Sequence, residues 1–170
     1  SIPFDGSTPK NKPLGGAEKA FVNLCEAFAL RGHTVQAVNR CETPHEFNGV
    51  SWLPFERPRS EGHEVLIAFR QPSLLKEFEH VDHRYLWLWG PLSFLSKIGN
   101  QSILQRYKPT LIYLGDAHRN SWKPRQIYPE AIIVPGVSNS YLDKKGNLFE
   151  PPPVSVTTTH PRHAMTEILE

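Results

Sequence analysis

A glycine pair, Gly15-Gly16, stands directly before a long amphipathic segment. Glu18 falls in the first turn of that segment, where the positive end of a helix dipole favours a carboxylate. Gly32 follows the last apolar position and suits a left-handed cap. The apolar side chains between them recur at the spacing of one helical face, at Phe21, Leu24, Cys25 and Phe28. The sequence therefore predicts a helix that begins at the glycine pair and ends before Gly32.

A short strand is predicted directly after this helix, because Thr34-Val35-Gln36-Ala37-Val38 alternates and is β-branched. Loop, helix, turn and strand in this order form half of a βαβ unit. A strand is also expected before Gly15, but only Ser1-Ile2-Pro3-Phe4 precedes the polar segment from Asp5 to Pro13. We therefore expect that the sequence is a fragment or that its true start was removed, and that its first strand lacks at least part of its length.

Further apolar runs predict more strands, at Val65–Phe69, Tyr85–Trp89, Leu111–Leu114 and Ala131–Val134. Uninterrupted apolar runs of this length are typical of strands buried on both faces. A helical segment, 91–107, lies between the second and third of them, and Gly99-Asn100 is the expected point of division into two helices. Strands that alternate with helices predict a Rossmann-like α/β fold, a parallel sheet with helices on both faces.

Ligands of such sheets bind beyond the carboxyl ends of the strands. The residues that follow each predicted strand are therefore candidates: Gly15-Gly16, Arg70-Gln71, Trp89-Gly90-Pro91, Gly115-Asp116-Ala117-His118 and Pro135-Gly136-Val137. The glycine pair suits a diphosphate or a sugar, because the main chain has no side chain in the way and a helix amino terminus offers free N–H groups.

Charge and cysteine content narrow the class of protein. The chain has 19 basic and 17 acidic side chains, scattered along its 170 residues, and the formal net charge is +2. Without a basic stripe, nucleic acid is not an expected partner. With 39% hydrophobic residues, the chain can bury the core of about one domain. Cys25 on the helix stripe and Cys41 after a strand are predicted to be reduced thiols, which favours the cytoplasm.

Several other chemistries lack their sequence patterns. The sequence has no G-x-S-x-G segment, and no G-x-G-x-x-G follows a predicted strand, so we expect neither a serine hydrolase nor a nicotinamide dehydrogenase. His80 with His83 and His160 with His163 have i, i+3 spacing, but no carboxylate or thiol completes either pair. We interpret them as surface histidines and expect no metal ion and no cofactor.

The run Gly15-Gly16-Ala17-Glu18-Lys19, with its helix and the following Arg31-Gly32-His33-Thr34-Val35, resembles the amino-terminal signature of family 4 GT-B glycosyltransferases. That signature has a GGAE-type loop before a helix and an RGHxV-type turn. Val134-Pro135-Gly136-Val137 is similar to the family's VIPNGV-type segment without its Asn. The resemblance covers residues 3–142.

The resemblance implies two Rossmann-like domains that face each other across a cleft and transfer a sugar with retention of configuration and no obligatory metal. The amino-terminal domain mainly holds the acceptor, a sugar or a lipid-linked sugar, and the other domain holds most of the nucleotide sugar. Residues 1–150 would be the acceptor-side domain. Residues 151–170, which start with Pro151-Pro152-Pro153, would be a linker and the start of the second domain, or a further strand (154–158) and helix (164–170) of the first.

On this resemblance Gly15 and Gly16, with Glu18 beside them, would let the main chain approach the phosphates or the sugar of the donor. No catalytic residue is identified. Many relatives place a His after the fourth strand, but the matching segment here is Leu88-Trp89-Gly90-Pro91. Trp89, next to Gly90, would either stack on a sugar ring or belong to the core, and the core is favoured.

His118 and Arg119 align with the family's SExxR-type segment, so Arg119 would help to bind an anionic acceptor or donor; a solvated helix start is equally compatible with the sequence. The lack of the cleft His leaves a second function open, a glycosyltransferase-like binding module without catalysis. We expect a cytoplasmic location at the inner face of a membrane. Trp87, Trp89, Phe94 and Leu95 form an apolar cluster near one strand end, which either peripheral membrane contact or a buried core would explain.

Overall fold

The computed structural model describes residues 3–56 and 62–136. Their helices and strands follow in the order α1 (Thr8–Asn11), α2 (Gly16–Leu30), β1 (Val35–Asn39), β2 (His45–Phe47), β3 (Val50–Pro54), β4 (Val65–Phe69), β5 (His83–Trp87), α3 (Ile98–Tyr107), β6 (Thr110–Tyr113), α4 (Asp116–Asn120) and β7 (Glu130–Ile132). Two short 3-10 helices add Pro72–Lys76 and Ser93–Ser96. The fold is that of the compact unit that ends at Pro135. The predicted linker, the strand and helix after it, and the pair His160 and His163 lie outside the described residues.

The strands form two sheets. One sheet has four parallel strands in the order β4-β5-β6-β7, with Ile67 opposite Tyr85 and Leu86 opposite Leu111. The other has the order β1-β3-β2, with β1 parallel and β2 antiparallel to β3. The predicted α/β fold with a parallel sheet and flanking helices, Rossmann-like in class, is confirmed.

The hairpin of β2 and β3 was not predicted. Asn48 and Gly49 connect the two strands, and both have positive φ, 50° and 74°. Positive φ at two central residues is the pattern of a type I′ turn, for which Asn-Gly is the favoured sequence. The Asn-Gly pair was therefore a usable signal, although β2 has only three residues.

Helix α2 packs on the smaller sheet with a face that differs slightly from the prediction. Its most buried residues are Val22, 1% exposed, and Cys25. Phe21 packs against the same cluster, but the predicted Leu24 and Phe28 are only partly buried. The cluster is completed by Ala37, Cys41, Val50 and Trp52.

A second buried cluster covers the larger sheet and contains mostly leucines: Leu75, Leu86, Leu88, Leu92, Leu95, Leu104 and Leu111, with Ala68, Tyr113, Trp122 and Tyr128. The expectation that every apolar strand is buried on both faces was wrong for β4 and β7, where Val65 is 48% and Ile132 41% exposed. Both strands lie at sheet edges, where cover is incomplete.

The predicted helical segment 91–107 is divided, but not at Gly99-Asn100. The break falls at Lys97, whose backbone is extended (φ −64°, ψ 136°), and Gly99 and Asn100 lie inside α3. Asn100 donates from Nδ2 to the carbonyl of Phe94 at 2.8 Å, which anchors α3 to the preceding 3-10 helix. This contact stabilises Asn100 within α3, although the Gly99-Asn100 dipeptide favours a break in a helix.

Both cysteines are free, as predicted, and both are buried. Burial raises the pKa of the Cys25 thiol to about 12, and burial together with the Asp5 charge raises that of Cys41. Neither thiol is therefore activated as a nucleophile. Among the described residues, no helix is long and apolar enough to cross a membrane.

Candidate functional site

A cleft of about 610 Å³ opens at the carboxyl ends of β1 and β4 and beside the segment after β5. Its walls are mainly aromatic: Phe4, Phe21, Phe55, Phe69, Trp89 and Phe94. Its polar side chains are Glu18, Asn39, Arg40, Arg70 and Gln71. The cleft thus combines flat apolar surfaces with two guanidinium groups and one carboxylate, at the edge of the fold where ligands of parallel sheets bind.

The carboxylate of Glu18 lies between Arg70 and the N-cap of α2. Its Oε1 lies 3.4 Å from a guanidinium nitrogen of Arg70, although the two residues are 52 positions apart. On the other side Glu18 folds back over Gly15, the N-cap of α2; a Cβ on Gly15 would lie 2.4 Å from Oε2. Gly15 therefore leaves room for the present position of the Glu18 carboxylate, and its φ of −60° is open to any residue.

Arg70 reaches the cleft from a strained backbone. It follows the last residue of β4 with φ +66°, a left-handed conformation that a non-glycine residue adopts at a cost of about 1–2 kcal/mol. Its N–H donates to the carbonyl of Trp87 at 2.9 Å, which ties the turn to β5. The side chain is 48% exposed, so the guanidinium is available to a ligand as well as to Glu18.

Arg40 lines the cleft from the turn that follows β1. The side chain of Asn39 holds this turn in place. Asn39 is 6% exposed and bridges two segments: its Nδ2 donates to the carbonyl of Phe4 at 2.8 Å, and its Oδ1 accepts the N–H of Cys41 at 2.9 Å. The amide thereby fixes the turn that carries Arg40, and it attaches the chain at Phe4 to the same end of the sheet.

The segment after β5 forms the opposite wall. Trp89 packs edge-on against Trp87 and Phe69, with ring centroids 5.5 and 6.1 Å away. Its Nε1–H is buried and has no acceptor among the described residues. Trp89 therefore belongs to an aromatic cluster and also lines the cleft. A place in the core and a surface for ligand contact, the two alternatives for Trp89, do not exclude each other.

Gly90 and His118 brace this wall. Gly90 has φ +72°, where a side chain would be strained, and its carbonyl lies 2.9 Å from His118 Nε2. The other ring nitrogen, Nδ1, accepts the N–H of Leu114 at 3.1 Å. Since Nδ1 is an acceptor, the proton of the neutral ring is on Nε2, and Nε2 donates to Gly90. Both nitrogens of His118 thus connect the loops after β5 and β6.

Arg119 has a different partner. Its guanidinium pairs with Glu130 at the start of β7, and this hydrogen bond and the charge of Glu130 raise its pKa. The pKa of Tyr113 is raised to about 12, mainly by burial and secondly by the charge of the same Glu130 carboxylate. Arg119 therefore stabilises the β6–β7 side of the sheet and does not line the cleft.

Three of the seven predicted binding residues, Glu18, Trp89 and Gly90, line the cleft. Gly15 and Gly16 lie at the start of α2 beside Glu18, and His118 lies behind Gly90. Asn39 and Arg40, which also line the cleft, were not predicted. Both directly follow the predicted strand 34–38, so the rule that selected Arg70 would have selected them too.

Comparison of the chain with protein-family models, with curated proteins and with solved structures gives no match. Functional interpretation therefore depends on the residues of the cleft and on the motif that leads into α2.

Asp5 orders the turn that leads into α1. Its Oδ1 accepts the N–H and hydroxyl of Ser7 at 2.8 and 2.7 Å and the N–H of Thr8 at 3.1 Å. Burial raises the pKa of Asp5, but these hydrogen bonds and the nearby His45 outweigh it, and the net shift is downward.

Because the folded-state pKa is the lower one, ionised Asp5 should stabilise the fold above its unfolded pKa of about 3.9 and lose that effect as the pH falls through the folded value. We expect Asp5→Ala to lower the free energy of unfolding by about 1–2 kcal/mol at neutral pH, as loss of a helix cap does. Urea unfolding at a series of pH values measures this difference, which should shrink below about pH 4. A difference that stays constant into the acid range would contradict the assignment, and Asp5→Asn, which keeps an acceptor oxygen, should lose less.

Proposed function

We propose that this chain is the acceptor-side domain of a retaining glycosyltransferase that moves a sugar from a nucleotide-sugar donor to a sugar or lipid-linked acceptor. The observation that carries the proposal is the cleft itself, in which aromatic walls surround Arg40 and the pair of Glu18 and Arg70. Glu18 belongs to the GGAE-type segment, so the motif and the cleft meet at one residue.

The chemistry of the cleft suits a sugar that carries an anionic group. Aromatic faces such as that of Trp89 pack against the apolar face of a sugar ring, and the two guanidinium groups bind phosphate or carboxylate. Helix α2 begins at Gly16 and has 15 residues, so its first N–H groups have no partner within the helix. They would stabilise the negative charge that develops on the leaving diphosphate. The remainder of the nucleotide sugar would be bound by a second domain, with no metal ion and no cofactor.

A second candidate is a binding module that recognises the same ligands without catalysis. No histidine lines the cleft within the described residues, and both ring nitrogens of His118 are already bonded. The carboxylate of Glu18 is paired with Arg70 and is not a free general base. Sugar transfer by the longest encoded protein would support the enzyme, whereas binding without transfer would support the module.

We further propose that the protein works in the cytoplasm at the inner face of a membrane, where a lipid-linked acceptor would be presented. Trp89 and Phe94 would line the path of the acceptor rather than insert into the bilayer, since both are partly buried in the cleft.

The binding test is a titration of the chain with glucose, glucose 1-phosphate and a nucleotide sugar, in which tryptophan fluorescence reports binding. We expect millimolar binding of the sugar phosphate, weaker binding of glucose, and tenfold weaker sugar phosphate binding for Arg40→Ala. Arg119→Ala is the matched control, because Arg119 lies outside the cleft. Micromolar binding of the nucleotide sugar would contradict the assignment of the donor site to a second domain.

Two glycine variants test two separate roles: close approach of a ligand to the main chain at Gly16, and the position of the Glu18 carboxylate beside Gly15. A Cβ on Gly16 meets no atom within 4 Å, so Gly16→Ala should fold normally and reduce sugar transfer in the longest encoded protein only if a ligand approaches Gly16 closely. Gly15→Ala should displace the Glu18 carboxylate from Arg70. We expect transfer to fall at least about tenfold in both variants, with thermal midpoints close to that of the wild type. Full activity of Gly16→Ala would show that no ligand contacts the helix start.

A further inference from the structure

A second pocket, of about 480 Å³, lies at the other end of β5 from the cleft. The cleft is lined by Trp89 and Gly90, which follow the last residue of β5, whereas this pocket is lined by Arg84, the second residue of the strand. We call it the basic pocket, and its lining residues are Lys76, Glu79, Arg84, Arg106 and Tyr107. None of these residues lines the cleft, so the basic pocket is a separate feature of the molecule.

Positive charge dominates the basic pocket. Three of its five lining side chains are cationic, and Glu79 is the one carboxylate among them. Within residues 3–56 and 62–136, the ion pairs join other residues, so Lys76, Arg84 and Arg106 have no carboxylate within 4.0 Å. Three positive charges therefore meet at one pocket without a paired counter-ion in the described part of the chain.

Main-chain carbonyls hold Arg84 in the wall of this pocket. Its Nη2 donates to the carbonyls of Phe78 at 2.6 Å and Glu79 at 2.9 Å, and its Nη1 donates to that of Val81 at 3.4 Å. Its Nε–H is buried and has no acceptor among the described residues. The carbonyls orient the guanidinium but carry no net charge, so its positive charge is not neutralised. A ligand would thus meet a guanidinium that is already ordered.

Arg106 meets Arg84 at the ring of Tyr107. The guanidinium carbons of Arg84 and Arg106 lie 5.3 and 5.4 Å from the centroid of this ring. Each contact is a favourable cation–π interaction, but the two like charges near one ring repel each other. Arg106 also suits the negative end of the α3 dipole, which explains its place on the helix but not the approach of Lys76 and Arg84. An anion bound by these cations would replace their repulsion by attraction.

Charge and volume indicate the class of this anion. A phosphate monoester carries a charge of about −1.5 to −2 near neutral pH and has three strong acceptor oxygens, which suits three cations offset by one carboxylate. Guanidinium groups bind phosphate especially well. The volume of the basic pocket is typical of sites for small organic molecules. Its only apolar surface is the Tyr107 ring, so the molecule that carries the phosphate has to be polar.

We propose that the basic pocket binds the phosphate monoester of a small polar molecule. Lys76, Arg84 and Arg106 bind the phosphate oxygens, and the Tyr107 ring packs beside the molecule. Glu79 weakens the binding through its like charge. The proposal is independent of the proposed function, because the two sites lie at opposite ends of β5 and share no lining residue.

The test is a titration of the ¹⁵N-labelled full chain with glucose 6-phosphate at constant ionic strength, in which amide NMR shifts report binding residue by residue. We expect millimolar binding with shifts at the amides of Lys76, Arg84 and Tyr107. The amides of Arg40 and Arg70 report the cleft in the same spectra, so failure of one site is distinguished from failure of the other. Shifts confined to the cleft would overturn the proposal.

Charge variants show whether the cations act through this pocket. We expect Lys76→Gln and Arg106→Gln each to weaken binding at these amides about fivefold, and Glu79→Gln to tighten it about threefold. Arg125→Gln is the matched control, because Arg125 is exposed, lines neither site and loses the same charge. Unchanged binding in Arg106→Gln would overturn the proposal, and so would equal weakening in Arg125→Gln. Arg84 is left intact because it holds three carbonyls.

A lipid headgroup is the other source of a phosphate monoester. Sedimentation with vesicles of phosphatidylcholine and phosphatidic acid tests it in the same variants. We expect Arg106→Gln and Arg125→Gln to bind these vesicles equally. If the vesicles bind the chain more tightly than glucose 6-phosphate does, and Arg106→Gln alone loses this binding, the phosphate belongs to a lipid and the proposed polar molecule is wrong.

Discussion

Leu104→Ala is expected to lower the free energy of unfolding by about 2–5 kcal/mol. Leu104 lies in α3 and is fully buried in the leucine-rich cluster. Helix α3 packs against both 3-10 helices, so the methyl groups lost would leave a cavity among three elements. The cost includes the lost transfer of apolar surface and the cavity that remains.

The matched control lies on the same helix. Ile98, the first residue of α3, is 85% exposed, and Ile98→Ala should change the free energy of unfolding by less than about 0.5 kcal/mol. Both variants introduce alanine into the same helix, and the helix propensities of Leu and Ile differ by only a few tenths of a kcal/mol, roughly a tenth of the loss expected for Leu104→Ala. Urea unfolding followed by circular dichroism measures both, and equal losses for the two variants would contradict the placement of the core.

The elements that the sequence predicted well are those with a strong local period. Helix α2 was expected to begin at the glycine pair and end before Gly32, and it spans Gly16–Leu30 with Gly32 at φ +88°. The strand at Val65–Phe69 was predicted to the residue, and the other apolar runs were displaced by one or two positions. Hydrophobic spacing records which side a segment buries, so it identifies elements better than it identifies their ends.

The contacts of the cleft were harder to predict from the sequence, because they join residues that are far apart along the chain. Glu18 was selected for its motif, and nothing local indicates that its partner is Arg70, 52 residues later. His118 was expected at a ligand, but it connects two loops through Gly90 and Leu114. Such pairs depend on how β4, β5 and β6 are placed side by side, and this is decided by the packing of the whole sheet and not by any one segment.

Arg70→Gly is expected to keep or raise stability while it removes ligand binding. Glycine adopts the left-handed conformation of residue 70 without the strain that Arg has there. This gain in stability is partly offset, because glycine has greater conformational freedom in the unfolded chain. Loss of the exposed pair with Glu18 costs little. The free energy of unfolding should therefore be unchanged or higher by up to about 1 kcal/mol, and binding of glucose 1-phosphate should fall at least about tenfold.

Lys108→Gly is the matched control for this variant. Lys108 also has positive φ, 42°, at the carboxyl end of α3, and it does not line the cleft. It should gain similar stability in urea unfolding and bind the sugar phosphate like the wild type in the fluorescence titration. If Arg70→Gly binds as well as Lys108→Gly, the strained arginine has no role in binding. If only Arg70→Gly loses binding, the ligand requires the Arg70 guanidinium.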